Sequence, residues 1–335
     1  MKEIFSIVLV IIGALIGAGF ASGQEIYSFF YSYGIIGIIG LIITFALISI
    51  TIYKSFKIII KNKIDNYDEF LKVFIKNEKV TKIINIIINI LLLVTFYIMI
   101  AGFGAYFEQE IGVNRIIGSL LLAIMCALVF FTSVKGVLKV SQYIVPILIL
   151  LIIVIGGMNL LTLDVEPEIF AINKGWLLSS ISYCSFNMIL LIPVLISLRK
   201  QIKSYTKVKY IAFISGTLMI IMSLMIYMLL SKVDVDISTL EMPVVYVVRT
   251  FFTNFKFFYA FIILSSIFTT AISIGIGLLQ NISKTKKSYT QFVLFMCITS
   301  LIISNFGFSN LVKFVYPIFG YIGIVQVILI IKKKT

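Results

Sequence analysis

The chain has 335 residues, of which 61% are hydrophobic and 13% charged, and its mean hydropathy is +1.13. This composition is atypical of soluble globular domains and characteristic of a membrane protein with many spans. It leaves no room for a sizeable soluble domain, so we expect one transmembrane domain over residues 1–335. Histidine, the commonest general base and metal ligand, is absent. The three cysteines (Cys126, Cys184 and Cys297) lie far apart in apolar segments, which predicts buried side chains rather than metal ligands or disulfides.

The first apolar segment, roughly residues 4–33, contains the run GALIGAGFASGQE from Gly13 to Glu25. Glycine weakens a helix, so we expect this one to break near residues 17–23 and to free several backbone carbonyl and N–H groups. In a membrane, non-helical backbone is tolerated only where it is buried in protein or lines a wet cavity. Half-helix ends near the midplane hold ions and substrates in secondary transporters. The run therefore predicts a binding site.

Two other interpretations of this run are less favoured. The small residues from Gly13 to Gly17 fit a helix-packing face, but packing alone leaves Gln24 and Glu25 unexplained. A cleaved signal peptide over residues 1–22 is disfavoured because the apolar run continues past Gly23 and no A-x-A site stands there.

Ten apolar segments follow one another along the chain, and each is long enough to be a membrane helix. They are roughly 4–33, 34–60, 83–107, 114–133, 137–162, 176–198, 208–231, 257–281, 290–306 and 311–331. Among the connections, residues 61–82 alternate charged and apolar side chains and predict a short interfacial helix. Residues 244–252 read as a short helix over the outer mouth.

The distribution of Lys and Arg sets the orientation. With the N-terminus in the cytoplasm and ten spans, 22 of the 28 Lys and Arg residues fall on the cytoplasmic side. Adding or removing one span would scramble this alternation. We therefore expect both termini to be cytoplasmic, in the inner membrane of a bacterium. The net charge of +14 follows this topology and does not indicate nucleic-acid binding.

The sixth segment, residues 176–198, is the second with a small and polar middle, which includes Tyr183, Ser185 and Asn187. If the chain consists of two halves, approximately residues 1–162 and 176–331, the first and sixth segments correspond and run in opposite directions. This arrangement predicts an inverted-repeat transporter with its site between two broken helices. The alternative is that the Ser and Asn side chains only bond neighbouring helices.

The eighth segment carries four hydroxyl residues spaced three or four apart, from Ser266 through Thr269 and Thr270 to Ser273. This spacing places them on one helix face. Together with freed carbonyls of a broken helix, they would form an all-oxygen site suited to a hard cation such as sodium. Hydroxyl groups in membrane helices also often bond only to their own helix.

Ten spans, breaks in segments one and six, and the hydroxyl pair in segment eight resemble the LeuT fold of the amino acid–polyamine–organocation superfamily. The motif from Gly13 to Gly19 resembles the first helix of that superfamily. In its sodium-coupled members, carbonyls of this motif and residues of helix eight bind sodium. By that resemblance the ligands here are the carbonyls of Gly13 and Ile16, the backbone of Ser266, and the hydroxyls of Thr269 and Thr270. The whole run GAxxGAGFASGQE further resembles the YkvI family of bacterial membrane proteins.

The resemblance implies a cation-coupled transporter, with sodium as the ion and no other cofactor, for a small organic solute such as an amino acid or an organic amine. The residues expected at the solute are Gly17, Ala18, Gly19, Phe20, Glu25, Tyr97, Tyr183, Ser185 and Asn187. Segment six lacks the glycine pair found in many amino-acid transporters, which weakens the case for an α-amino acid.

Glu25 is the only acidic residue well inside an apolar segment. It has three interpretations: a partner for a cationic solute, a proton carrier, or a cap of the following half-helix. A proton-coupled transporter and a membrane receptor that binds without transporting remain alternatives. An intramembrane enzyme is disfavoured, because neither a Ser/base dyad nor paired intramembrane acids are visible.

Overall fold

The computed structural model describes residues 2–131, 135–161, 174–202, 205–282 and 285–333. Within these ranges the chain is helical and contains no β-strand. Seven helices are long and apolar enough to cross a membrane, and three further apolar helices are 10–17 residues long. The predicted all-α membrane protein is therefore confirmed at this level. Most of the predicted outer loop of residues 162–175, with its three acidic residues, lies outside the described residues.

Fourteen α-helices are described in these ranges. They are α1 (Lys2–Leu15), α2 (Ala18–Ala21), α3 (Gln24–Phe29), α4 (Ile36–Lys61), α5 (Tyr67–Lys72), α6 (Glu78–Tyr106), α7 (Arg115–Phe131), α8 (Lys135–Leu161), α9 (Trp176–Leu198), α10 (Tyr205–Leu230), α11 (Pro243–Phe251), α12 (Lys256–Ile282), α13 (Lys286–Ser304) and α14 (Phe308–Lys332).

The predicted break in the first segment is confirmed. The segment divides into α1, α2 and α3, with interruptions at Gly17 and Gly23. Gly17 has extended backbone, with φ −95° and ψ −172°, whereas Gly23 has φ +83°. The second value lies in the left-handed region, which glycine adopts without steric cost. Each glycine therefore stops a helix that the apolar sequence alone would continue.

The predicted break in the sixth segment is wrong. Residues Trp176–Leu198 form one continuous helix, α9. This segment contains no glycine, and two of its polar side chains bond to carbonyls one turn back. Ser185 Oγ donates to Ile181 O at 2.8 Å and Asn187 Nδ2 donates to Tyr183 O at 2.9 Å. The side chains of Ser185 and Asn187 are thus satisfied inside the helix, which continues without interruption.

Helix α9 lies at the centre of the bundle and packs against α1, α3, α4 and α14. Side-chain hydroxyls join these helices: Thr44 Oγ1 donates to Ser180 O at 3.0 Å, and Ser182 Oγ donates to Pro317 O at 3.2 Å. Interhelical hydrogen bonds in membranes contribute about 0.6 kcal/mol each on average. At the periphery, α7 and α13 expose large apolar side chains such as Leu128 and Ile302, as expected for surfaces that face lipid.

The predicted interfacial helix is present as α5. The Asn66 side chain accepts a hydrogen bond from the Glu69 N–H and caps its start. Tyr67 donates its hydroxyl to Gln326 Oε1 of α14 at 2.8 Å. Just before the helix, Asp65 pairs with Arg199 at the end of α9, at 2.7 Å. The connection between α4 and α6 is thus joined to α14 by a hydrogen bond and to the end of α9 by an ion pair.

We expect Gly23→Ala to destabilise the protein more than Gly112→Ala. Both glycines have positive φ, at +83° and +74°, so each substitution incurs a backbone cost of about 1–2 kcal/mol. A Cβ at residue 23 would also lie 2.4 Å from Val244 Cγ2, whereas one at residue 112 has no neighbour within 4 Å. Thermal unfolding in detergent measures the difference. Equal losses in the two variants would show that the contact between residue 23 and α11 has no energetic weight.

Candidate functional site

Glu25 lies in the first turn of α3, with only 3% of its surface exposed. Its Oε2 atom accepts a hydrogen bond from the Tyr183 hydroxyl of α9 at 2.6 Å. Gly19 of α2 also lies against this side chain. Elements α2, α3 and α9 therefore meet at one buried acid.

The contacts of Glu25 do not support the capping interpretation. The N-cap of α3 is Gly23, and the first N–H of the helix, that of Gln24, donates to Ser22 Oγ at 3.3 Å. The recorded hydrogen bond of the Glu25 carboxylate comes from Tyr183 and not from an N–H of the first turn. Across the described ranges of the chain, no Lys or Arg forms an ion pair with Glu25. A buried carboxylate with a hydroxyl partner and no ion pair is suited to binding a cation or a proton.

Gly19 makes room for this carboxylate. A Cβ built on Gly19 would lie 2.3 Å from Glu25 Oε1 and 2.6 Å from Glu25 Cγ. The Glu25 side chain therefore folds back against the backbone of α2. Any larger residue at position 19 would displace the carboxylate from Tyr183, so this glycine and the acid act as one unit.

The first break interrupts the helical hydrogen-bond ladder. Ile16 N–H donates to Ile12 O at 2.8 Å, and the next bond along this fully described stretch is from Ala21 N–H to Gly17 O at 3.1 Å. The carbonyls of residues 13–16 consequently receive no helical N–H. Free carbonyl oxygens at a helix break are potential cation ligands, and those of Gly13 and Ile16 belong to this set.

Carbonyls after the first break are held by neighbouring elements. Tyr259 of α12 donates its hydroxyl to Ala21 O at 2.5 Å, and the Val244 N–H of α11 donates to Ser22 O at 2.9 Å. Farther along, Ser179 Oγ of α9 donates to Phe29 O at 2.9 Å. These bonds come from three directions and fix α2 and α3 in place. The predicted short helix over the outer mouth, observed as α11, thus contacts the break directly.

Aromatic rings surround the Glu25 partner. The Tyr183 ring centroid lies 4.9 Å from that of Phe29, 5.3 Å from Phe30 and 6.2 Å from Phe45. Three residues farther along α9, the rings of Phe186 and Tyr316 stack at 4.0 Å. The site therefore combines one carboxylate with an apolar aromatic wall.

The other predicted solute residues occupy several places. Phe20 is fully buried and Ala18 approaches Gly102 of α6. The Tyr97 hydroxyl shares a 2.6 Å hydrogen bond with Thr299 of α13, so the structure directs it away from Glu25. Ser185 and Asn187 each donate to a carbonyl one turn back in α9, and the carbonyl that Asn187 contacts is that of Tyr183. The structure thus groups Gly19, Glu25, Tyr183 and Asn187, with Gly17, Ala18 and Phe20 on the adjoining backbone.

Helix α12 carries the predicted ion ligands Ser266, Thr269 and Thr270. Helix α12 packs against α2, whereas α1 packs against α8, α9 and α10. Ser266 and Thr269 are buried and Thr270 is half-buried. Thr269 Oγ1 donates to Ser266 O at 3.1 Å, which leaves the lone pairs of the hydroxyl oxygen available to a cation.

A polar network joins the segment before α11 to neighbouring helices. Arg115 pairs with Glu241 at 3.3 Å and also with Glu108. Glu241 Oε2 accepts the Ser309 N–H at the start of α14, at 2.6 Å. Gln109 forms two hydrogen bonds with the backbone of Met242, at 2.8 and 3.1 Å. The segment before α11 is therefore bonded to α7 and α14 and to the residues that follow α6.

Two residues of the site were not predicted from the sequence. Tyr316 and Tyr259 sit in long apolar segments, where an aromatic residue is most simply explained as packing. Nothing in their local sequence distinguishes them from the other tyrosines of the chain. Only the tertiary structure brings Tyr316 to Phe186 and Tyr259 to Ala21.

Comparison with known proteins gives a consistent picture. The chain is 29% identical over 332 residues to the uncharacterized membrane protein YkvI of Bacillus subtilis (strain 168), covering 97% of this chain and 94% of that protein. The resemblance to YkvI inferred from the sequence is thereby confirmed. The chain is also 28% identical to the uncharacterized protein YyaD of the same organism, over 94% of this chain and 92% of that protein. No family model matches.

A solved structure shares the fold. The manganese transporter of Eremococcus coleocola matches with a TM-score of 0.52 and 11% identity, over 97% of this chain and 70% of that one. At this identity the likeness shows the fold alone. The chain is thus similar to membrane proteins in sequence and to a transporter in fold.

We expect Tyr183→Phe to destabilise the folded protein more than Tyr97→Phe. Removing the Tyr183 hydroxyl leaves a buried carboxylate without its donor, at a cost of about 1–3 kcal/mol, whereas Thr299 keeps a second partner. Thermal unfolding in detergent at neutral pH checks the order. If the two variants unfold alike, the bond to Glu25 does not stabilise this state.

Proposed function

We propose that the protein is a cation-coupled secondary transporter of a small organic solute. The observation that carries the proposal is the doubly broken first helix, with free carbonyls at one interruption and the buried Glu25 just after the other. Interrupted helices are tolerated at membrane depth where they bind or transport. The similarity in fold to a transporter supports the same conclusion.

The proposal includes ten spans arranged as two inverted repeats of five. The pairing of helices supports it, because four of the five first-half segments pack on their presumed counterparts: α1 on α9, α4 on α10, α6 on α12 and α7 on α13. The interruption of the first segment at Gly17 would then have no equivalent in α9. The solute would bind between the broken first helix and a continuous partner, in a departure from the two-break arrangement expected from the resemblance.

Sodium is the proposed coupling ion. The carbonyls of Gly13 and Ile16 and the oxygens of Ser266, Thr269 and Thr270 would provide an all-oxygen set, which suits a hard cation. Manganese is not favoured as the transported species. In the described part of the chain, no group of three or more His, Cys, Asp or Glu residues could hold a metal ion.

Proton coupling through Glu25 is the second candidate. It is favoured by one observation: the carboxylate is buried against a hydroxyl and forms no ion pair in the described ranges. A receptor that binds without transporting uses the same site. Uptake by proteoliposomes under an imposed sodium or proton gradient separates these three functions, because a receptor binds solute but accumulates none.

We expect the Thr269→Ala/Thr270→Ala variant to lose sodium stimulation of binding and uptake. Each lost ligand leaves a weaker site, at a cost of about 1–3 kcal/mol. Ser300→Ala on α13 is the control, since its buried hydroxyl bonds only to Cys297 O of its own helix. Sodium titration of thermal stability provides the measurement. Unchanged sodium dependence in the double variant would reduce these hydroxyls to packing groups.

Ten spans would place both termini on the same side of the membrane, and the Lys and Arg distribution would make that side the cytoplasm. A reporter fused after Thr335 should then behave as cytoplasmic, and one inserted near Pro167 as external, because the Lys and Arg residues determine the orientation. A reporter inserted near Asn62, among the basic residues that follow α4, is the internal control. An external reading at the C-terminus would contradict the ten-span arrangement.

A further inference from the structure

A surface cavity of about 450 Å³ lies beside the segment that precedes α11. Its walls come from the residues that follow α6, the start of α7, the segment before α11, and the turn between α13 and α14 with the first residues of α14. The volume is in the range of small-molecule binding sites. None of the lining residues belongs to the group around Glu25, so the cavity requires an explanation of its own.

The charged groups of the cavity are already paired with one another. Arg115 forms ion pairs with Glu241, at 3.3 Å, and with Glu108. Glu241 also accepts the Ser309 N–H at 2.6 Å. The guanidinium repels a metal ion or an organic cation, and the two carboxylates repel an anion. The cavity is therefore suited to a neutral ligand that carries hydrogen-bonding groups.

Three asparagine side chains line the same cavity, and each uses only one half of its amide within the protein. Asn305 and Asn310 donate through Nδ2 to Leu301 O and Phe306 O, at 3.2 and 3.0 Å. Asn114 accepts an N–H at the start of α7 through Oδ1, at 2.9 Å. Within the described part of the chain, their two carbonyl oxygens and one NH₂ group have no recorded partner. All three residues are exposed, so these groups are open to a ligand from solution.

This mixture of free donors and acceptors matches hydroxyl groups. A hydroxyl donates one hydrogen bond and accepts two, so neighbouring hydroxyls bond equally well to an amide oxygen and to an amide NH₂. Phe306, which also lines the cavity, adds an aromatic ring that is 63% exposed. The C–H face of a sugar ring is apolar and is removed from water when it packs on such a ring.

We propose that this cavity, defined by Asn114, Arg115, Asn305, Phe306 and Asn310 and called here the asparagine cavity, binds a neutral saccharide. The three amides bond to its hydroxyls, and the phenylalanine packs against a ring face. The inference goes beyond the proposed transport function, because it involves neither the first helix nor a gradient. In the proposed topology the asparagine cavity faces the outside of the cell, where a saccharide reaches it without crossing the membrane.

The test uses the full-length protein in phosphatidylcholine nanodiscs, because detergents with sugar head groups would compete for the cavity. The probes are maltose, cellobiose and N,N′-diacetylchitobiose, with spermidine and citrate as charged probes and empty nanodiscs as the blank. Saturation-transfer NMR reports weak binding directly, whereas unfolding temperatures rise with any sugar that is excluded from the protein surface. We expect a saturable signal from at least one disaccharide. Absence of such a signal from all three would overturn the proposal.

Matched variants locate the binding. We expect Asn310→Ala and Phe306→Ala each to weaken disaccharide binding about tenfold, the effect of one lost hydrogen bond or ring contact. Asn62→Ala is the control for the first, because Asn62 is also exposed and donates to the carbonyl four residues back, at 2.8 Å. Phe257→Ala is the control for the second, because Phe257 is 80% exposed and lies outside the cavity. The four side chains are exposed, so we expect all variants to fold.

Unchanged disaccharide affinity in both cavity variants would overturn the proposal. Saturable binding of spermidine or citrate that these variants remove would overturn it as well, because the cavity would then select a charge. The outcome can be separated from that of the transport proposal. Solute uptake by proteoliposomes without saccharide binding refutes the asparagine cavity and leaves transport intact. Saccharide binding that Asn310→Ala weakens, with no uptake of any solute, supports the cavity and counts against transport.

Discussion

The hydrogen bond between Tyr183 and Glu25 is the interaction on which the central arrangement depends. A carboxylate at membrane depth is costly unless it has partners, and Tyr183 supplies the donor at 2.6 Å. Helix α3 has only six residues, too few to be stable as an isolated helix. Its position is therefore set by tertiary contacts, and the continuous α9 provides the rigid support that holds the donor in place.

The unbroken course of α9 has a consequence for function. Ser185 and Asn187 bond within their own helix, and α9 runs without interruption past Glu25. The carbonyls that the break at Gly17 leaves without a helical N–H belong to the first segment, between α1 and α2. A solute bound at the break, as proposed, would exchange contacts with Glu25 and Tyr183, and the hydrogen bonds to Ala21 and Ser22 would link that exchange to α12 and α11. The network around Arg115 and Glu241 joins the segment before the same α11.

Similarity and structure contribute different information. The chain is alike over nearly its whole length to YkvI and YyaD of Bacillus subtilis, both uncharacterized, so likeness in sequence identifies a type of membrane protein without a solute. The manganese transporter shares the fold alone, and the described residues contain no group of three or more His, Cys, Asp or Glu side chains that could hold a metal ion. The arrangement of Gly19, Glu25 and Tyr183 is a property of this chain's own residues.

The sequence by itself determined the local features. Glycine spacing located the break at residues 17–23, and hydropathy located the helices, because both effects act within one segment. The sequence could not distinguish a polar helix that breaks from one that satisfies its side chains internally, and so the break in segment six was predicted wrongly. It also gave no sign of Tyr259, whose hydroxyl bonds to Ala21 O. Partners that lie more than a hundred residues apart in the chain decide such features, and only the tertiary structure brings them together.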